Sequence, residues 1–501
     1  MDRVYQGLFG GKRGREWSNS QCRRLIYTIA AVCTWILWSV SCNNNNNNVA
    51  VDGFFSSSSA VLQTFSDANL RALGLEALTA SSPEEIQSLL RKVQKEIQHV
   101  LDSNKEFTKF GPRILDWDKQ REIAKAKFSA ANEDSHKIST STPAHEEKDD
   151  QQQLNSSTKL AAPPRILLVT STHPHACSNA KGDQLQLLAI KNKYDYSRLH
   201  NMQIFYNMNK MDDEMVGWWV KLFLTHMLMI RHPEVDWIWW MDSDAVITDM
   251  TFELPLHKYQ NHNLVISGWE DAVYEKRSWL GLNAGVFLLR NCQWSLDLLH
   301  SWAPMSPKGP VRDAIGKLLS LALTDRPPTE ADDQSSLVYL MLTDRSRWGS
   351  KIYLENSYCF QGYWLYLTDK FEEMMEKNQP GVYGDERWPF ITHFVGCEFC
   401  EGGVNPIYSP GQCIRAMERA FLFADNQVLN RYGLRHSSLH TFRVQQKKST
   451  NSATRSLPPP ETRAHPSGIP PAADEYHTTT THPLLLHNDT TDDQLHVSPI
   501  S

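Results

Sequence analysis

No surplus of positive charge marks this sequence. Its 501 residues hold 51 Lys and Arg against 57 Asp and Glu, a formal net charge of −6. Nucleic-acid binding, which needs a clustered basic face, is excluded on that ground. No internal repeat is visible, which sets repeat architectures aside. Charge of either sign is missing from Leu25 to Cys42, LIYTIAAVCTWILWSVSC. Those residues would rise about 27 Å as a helix, close to the ~30 Å of a bilayer core. Lys and Arg are then absent until Arg71, whereas Arg3, Lys12, Arg13, Arg15, Arg23 and Arg24 crowd the first 24 residues. That asymmetry places residues 1–24 in the cytosol and the bulk of the chain across the membrane. No A-x-A cleavage site follows, and the charged and apolar stretches are both long for a signal peptide. The expectation is a single uncleaved signal-anchor at 25–42.

What is present points to a large extramembranous core, since 41% of residues are hydrophobic. Nine cysteines occur, three in or near the anchor and six beyond it. Cys397, Cys400 and Cys413 form a C-x2-C-x12-C group. A structural zinc would need a fourth ligand from elsewhere, and an oxidising compartment favours disulfides. Disulfides are expected, with connectivity open.

Asn43–Asn48 and Ser56–Ser59 read as linker after the anchor. Ser82, Pro83 and Glu84 then signal a helix start. Ile86, Leu90, Val93, Ile97 and Val100 recur at spacings of four and three. Over 83–101 this is either a short coiled-coil seam serving a homo- or hetero-dimer, or an amphipathic helix lying on the downstream domain. Residues 129–163 are rich in Ser, Thr, Glu, Asp and Gln, so 43–163 as a whole is expected to be stem. Asn155 and Asn488 open N-glycosylation sequons. The last residues, 446–501, lose apolar periodicity and are expected to be a disordered tail.

One globular domain remains, 164–445. Arg165–Thr170, Met202–Tyr206 and Trp237–Met241 read as strands, with helices over Gly182–His200 and Asp213–Arg231 between them. The alternation argues for an α/β domain with parallel strands, whose ligands bind beyond the carboxyl ends. The third strand runs directly into Asp242-Ser243-Asp244. Two carboxylates at i and i+2 on a fraying strand end can share a divalent cation, which neutralises a sugar-nucleotide diphosphate as it leaves. A bare D-x-D match is common and can equally be a turn-capping pair. Asp332-Asp333-Gln334 forms a second acidic group, readable also as a helix N-cap pair. His393 ends an apolar run and can offer imidazole to the same ion, or be an ordinary core histidine.

A dense, ordered set of blocks resembles glycosyltransferase family 34, the plant xyloglucan xylosyltransferases and galactomannan galactosyltransferases. Among them are GPRILDWDKQR (111–121), KNKYDYSRLH (191–200), WIWWMDSDAVITDM (237–250), GLNAGVFLLRNCQWSLDLL (281–299), EADDQSSLVYL (330–340) and THFVGCEFC (392–400). The resemblance implies a GT-A type, Rossmann-like domain held in the Golgi lumen behind the anchor and stem. It further implies UDP-xylose as donor, Mn²⁺ as cofactor and a β-1,4-glucan, the xyloglucan backbone, as acceptor, with α-1,6 branches made under retention. By motif, Asp242, Asp244 and His393 would hold the metal, and Asp332, Asp333 and Gln334 would line the reacting centre. Thr170, Ser171, Gly182, Asp183, Lys221, Asp242, Ser243, Asn283, Gly285 and Gly396 would meet the donor.

Four positions depart from the family's usual residues. Ser197 stands for Cys, Gln184 for His, Ser267 for His, and Glu398 for Lys or Gln. A carboxylate at 398 would repel an anion nearby; at an exposed turn it would have no role. Two alternatives therefore stand beside a xylosyltransferase: a galactosyltransferase acting on mannan, and a non-catalytic Golgi partner of a polysaccharide synthase complex.

Overall fold

The structure, a computed structural model, describes residues 67–447 apart from 104–108, 140–162, 212–216, 384–386, 401–404 and 406. The expected anchor at 25–42, the tail beyond 447, Asn155 and Asn488 lie outside the described residues. Among those described, no helix is long and apolar enough to cross a membrane.

Three helices come first: α1 (Asp67–Thr79), α2 (Pro83–Ser103) and α3 (Trp117–Ser139). A six-stranded sheet follows, built from β1 (Ile166–Ser171), β2 (Gln203–Asn207), β3 (Trp237–Met241), β5 (Leu264–Gly268), β6 (Leu282–Arg290) and β7 (Ile352–Glu355). Its strand order is β2-β1-β3-β6-β5-β7. Helices α4 (Ala180–Leu199) and α5 (Val220–Arg231) connect the first three strands; α6 (Gln293–Trp302), α7 (Pro310–Ala322) and α8 (Asp333–Thr343) follow β6. A second, three-stranded sheet sets β4 (Ala245–Ile247) and β8 (Gly362–Tyr363) on either side of β9 (Ile391–His393). Helix α9 (Pro410–Leu429) and the hairpin β10 (Leu434–Ser438) and β11 (Thr441–Gln446) complete the described chain.

β3 is the centre of the large sheet, and every residue in it is buried. Its pleat sends Ile238 and Trp240 into one apolar cluster and Trp237, Trp239 and Met241 into another. A strand covered on both faces shows no polar alternation, which is why WIWWM reads as an unbroken apolar run. β1 pairs parallel with β2 and with β3, as the alternation of strands and helices requires.

The expectation of parallel strands fails beyond β3. β6 runs antiparallel to both β3 and β5, and only β5 with β7 restores a parallel pair. The physical reason is the connection: residues 269–281 carry a single turn of helix and return the chain without a crossover. The sheet is mixed.

Of the two readings of 83–101, the amphipathic helix lying on the downstream domain is the one the structure shows. Ser82 caps α2 by accepting the Glu85 amide at 3.2 Å, and the Glu85 carboxylate accepts the Ser82 amide at 3.0 Å. This reciprocal box is the start that Ser-Pro-Glu announced. Leu89, Leu90, Val93, Ile97 and Val100 are buried, in one cluster with Ala314, Ile315, Leu318 and Leu319 of α7. The seam that could have joined two chains is occupied within one. α3 is tied down by polar contacts instead: Trp117 Nε1 donates to Asn291 at 2.8 Å, and Arg121 and Lys125 each stand 2.7 Å from Asp236.

Before α3, Phe110 stacks on His226, with ring centroids 4.1 Å apart. Burial, with His300 beside it, pushes the His226 imidazole down to about 4.

Two outcomes follow from this packing. Val93→Asp places a carboxylate at a site of no exposure and should destabilise the 67–447 body by about 3 kcal/mol or more, read as a lowered Tm. A seam serving only a dimer would leave that Tm unmoved. The neutral His226 contributes stability that is complete above about pH 6.5 and lost as pH falls from there toward 4, because the unfolded chain takes the proton first. Tm measured across that window should slope downward with acid, and less steeply in His226→Gln.

Candidate metal and donor site

The parallel register of β1 and β3 brings Ser171 and Asp242 to the same carboxyl edge, since Val169 stands opposite Trp240. Past this edge the backbone turns, with the Ala245 amide donating to the Asp242 carbonyl at 3.2 Å. The turn feeds β4, whose Ala245 lies opposite His393 in β9. A strand pair therefore delivers the imidazole to the acid motif, and one ligand atom from each of Asp242, Asp244 and His393 falls within 4.8 Å of the others. His393 Nε2 is 3.2 Å from Asp244 Oδ1. Two carboxylates and an imidazole form the donor set of a hard-to-borderline divalent ion, so this group could hold one. Backbone crowding supports the fit. A Cβ at Gly285 would collide with His393 Cε1 and stand 3.0 Å from Asp242 Oδ2, so only glycine leaves the space there.

Each acid is held from behind. Trp240 Nε1 donates to Asp242 at 2.7 Å, and the Asp242 amide donates to the Gly285 carbonyl at 2.8 Å. Lys221, from the first turn of α5, is almost fully buried. Its ammonium lies 3.2 and 3.3 Å from the two Asp242 oxygens and donates to the Ala284 carbonyl at 3.1 Å. It also stands 2.9 Å from Asp333, as an ion pair off the line that a hydrogen bond needs. Burial alone would pull the Lys221 pKa down; Asp242 and Asp333 more than offset it, and the pKa is raised. Burial pushes Asp333 up to about 6 despite Lys221. Lys221 thus meets Asp242, Ala284 and Asp333 from the first turn of α5.

The acidic pair at 332–333 divides. Asp332 is the N-cap of α8, accepting the Ser335 amide at 2.7 Å on one oxygen and Arg326 at 2.9 Å on the other. Both oxygens accept hydrogen bonds from the scaffold, so Asp332 serves as a helix cap. Asp333, one residue on, is buried and turns toward Lys221, which links it to Asp242. Gln334 bridges two elements, donating to the Trp279 carbonyl at 2.9 Å and accepting the Ala284 amide at 3.2 Å.

The expected donor residues are dispersed more widely. Ser171 accepts Asn207 at 3.0 Å at the end of β1, while Thr170 is wholly buried in the sheet. Asp183 accepts the Cys177 amide at 2.8 Å, and a Cβ at Gly182 would stand 2.6 Å from the Phe399 carbonyl, so both lock a loop contact. Ser243 offers its carbonyl to Lys193 at 3.2 Å. Asn283 accepts the Gly285 amide at 2.8 Å and a hydrogen from Gln361. Gly396 adopts φ 81° in the turn after β9. Cys397, Cys400 and Cys413 all enter disulfides, Cys177–Cys400 and Cys397–Cys413, rather than a zinc cluster, while Cys292 and Cys359 enter no disulfide among the described residues.

A profile of the galactosyl transferase GMA12/MNN10 family matches residues 162–403. The chain is 54% identical over 301 residues to probable glycosyltransferase 2 of Oryza sativa subsp. indica, across 60% of this chain and 62% of that one. It is 48% identical over 357 residues to xyloglucan 6-xylosyltransferase 1 of Arabidopsis thaliana, across 71% of both chains. The chain belongs to glycosyltransferase family 34. Among solved structures, a glycosyltransferase involved in glycosylation of the PBCV-1 major capsid is 11% identical with a TM-score of 0.32, covering 51% of this chain and 100% of that one. That similarity is too distant for residues to be compared.

Three residues of this family 34 site escaped the sequence. Gln361 touches both Asn283 and His393 Nδ1. Asn192 and Lys193 reach the D-x-D turn from α4. All three are separated from the motif by tens of residues or more, and nothing short of the fold unites them. Of the four departures, Gln184 and Glu398 are exposed, whereas Ser197 and Ser267 are buried. The Ser197 hydroxyl has no hydrogen-bond partner among the described residues, as expected where a less polar side chain fits equally well.

Gly285→Ala should raise the Kd for Mn²⁺ by more than tenfold, measured by calorimetry, and also lower the Tm in chelator, because the added methyl displaces the buried His393. Equal affinity in the variant would remove the three-residue cluster as a metal site.

Proposed function

We propose that the protein is a retaining, UDP-sugar-dependent glycosyltransferase of the Golgi lumen. In this reading it moves xylose from UDP-xylose to the 6-hydroxyl of glucose in a β-1,4-glucan. The observation that carries the proposal is the convergence of Asp242, Asp244 and His393 in a chain 48% identical to a xyloglucan 6-xylosyltransferase. The GT-A type organisation, with the donor at the carboxyl edge of β1 and β3, belongs to the same proposal.

Bound Mn²⁺ would supply the positive charge that holds the diphosphate and eases its departure. The chain's own residues do the rest. Asp242 is oriented by Trp240 and Lys221. Asp333, ionised above about pH 6, presents negative charge to a sugar ring that becomes positive as its bond to phosphate breaks. The acceptor hydroxyl then bonds to the sugar carbon on the face that the phosphate leaves. Its proton passes to the departing phosphate oxygen, so no second carboxylate is required as base. A double displacement would need a carboxylate free to attack, and Asp333 is paired with Lys221.

A second reading, galactose transfer to mannan, is favoured by the galactosyl transferase description of the matching family. The rice relative at 54% exceeds the xylosyltransferase at 48%, and its name leaves the donor unstated. Full-length chain in detergent, given Mn²⁺ with UDP-xylose and UDP-galactose in competition, should add xylose to cello-oligosaccharides; galactose on manno-oligosaccharides would establish the second reading. A chain that binds neither UDP nor Mn²⁺ in a calorimetric titration would be the non-catalytic partner.

Asp333→Asn should lower kcat by about 100-fold or more. Asp332→Ala should instead cost about 2 kcal/mol or more of stability with UDP affinity retained, because a cap and an ion pair to a fully buried arginine are lost. Reversed effects would return Asp332 to the reacting centre.

A further inference from the structure

The D-x-D turn and the strand β4 that follows it are held by two consecutive residues of α4. The Asn192 side chain makes both backbone bonds of Ile247, accepting its amide at 2.9 Å and donating to its carbonyl at 2.8 Å. Lys193, with no exposed surface, donates to the Ser243 carbonyl at 3.2 Å and the Ala245 carbonyl at 2.7 Å. The four anchored groups bracket Asp244 and fix β4 from end to end. β4 in turn sets the register of β9, placing Ala245 opposite His393.

A fully buried ammonium is costly unless its partners repay it. Here the partners are backbone carbonyls of the motif itself, together with the charges of Asp244 and Asp242 nearby. Asn192 carries no charge and reaches the same segment. Charge compensation alone would need only the lysine; a grip on geometry uses both.

We propose that Asn192 and Lys193 are positioning residues that hold Asp244 and His393 at the spacing a divalent ion requires. The inference rests on the metal reading of Asp242, Asp244 and His393 and goes beyond it by assigning the shell that sets its geometry. Outer-shell partners of this kind typically contribute 10- to 100-fold in metal affinity.

Full-length chain in detergent, without donor, is titrated with Mn²⁺ by calorimetry, beside thermal melts in chelator. Lys193→Met should raise the Kd by about ten- to a hundredfold. Asn192→Ala, which leaves every charge in place, should raise it in the same direction by less, and it decides the question should Lys193→Met not fold. Lys193→Arg, keeping charge and donors, should recover part of the affinity. An unchanged or lowered Kd in Lys193→Met or Asn192→Ala, with Tm alone reduced, would overturn the positioning role. No Mn²⁺ binding by the unaltered chain would overturn the metal reading and this inference together; binding by that chain matched in the variants would overturn this inference alone.

Discussion

Two partly exposed carboxylates, Asp242 and Asp244, lie near a buried one, Asp333, and the rest of the domain is arranged around making that tolerable. Asp242, Asp244 and Asp333 would repel one another strongly in a medium of low polarity. Two buried ammonium groups, Lys221 and Lys193, answer them from opposite sides. Three carboxylates against two ammonium groups leave one net negative charge. A divalent ion reverses that sign to net positive, which is the condition for receiving a diphosphate. Neither lysine can be replaced by a water-exposed cation, because screening and side-chain entropy would consume the gain.

Holding such a charge cluster demands a rigid frame. β3, buried on both faces, provides the floor, and the Trp240 indole supplies a hydrogen bond from within the strand itself. The three-stranded sheet of β4, β9 and β8 provides the wall that carries His393. Two disulfides then tie the turn after β9 to the loop before α4 and to the first turn of α9. The bridge between Cys177 and Cys400 spans 223 residues of sequence, so it restrains a very large loop in the unfolded chain. Gly182, packed against the Phe399 carbonyl, shows how closely those segments meet.

The legible parts of this design were those written in local pattern. WIWWM announced a doubly buried strand, and Ser82-Pro83-Glu84 announced a capped helix. Asp242, Asp244 and His393 were grouped by the family resemblance, since the residues alone read equally well as a turn-capping pair and a core histidine; the fold brings the three together. The illegible parts depend on what faces what. LNAGVFLLR is equally apolar in either direction, so its antiparallel course could not be seen. The α2 seam has the same spacing whether its partner is a second chain or α7. Lys193 resembled any helical lysine until its side chain was found beneath the motif, and Gln361 had no motif at all.

Asp332 and Asp333 show why residue type alone could not settle the site. They are adjacent and identical, yet a helix begins between them. Asp332 keeps extended backbone, φ −111° and ψ 161°, which aims its carboxylate back at the open amides of the first turn. Asp333 is the first helical residue, so its side chain leaves on a different heading and meets Lys221 from α5. The helix start therefore splits two equivalent acids into a cap and a charged wall of the site. A shift of that start by one residue would exchange their roles. The Arg326 contact, made by a guanidinium with no exposed surface, fixes the start where it is. Arg326 is thereby as much a part of the site's specification as the acids that line it, although it stands behind the cap and makes its contacts with the scaffold.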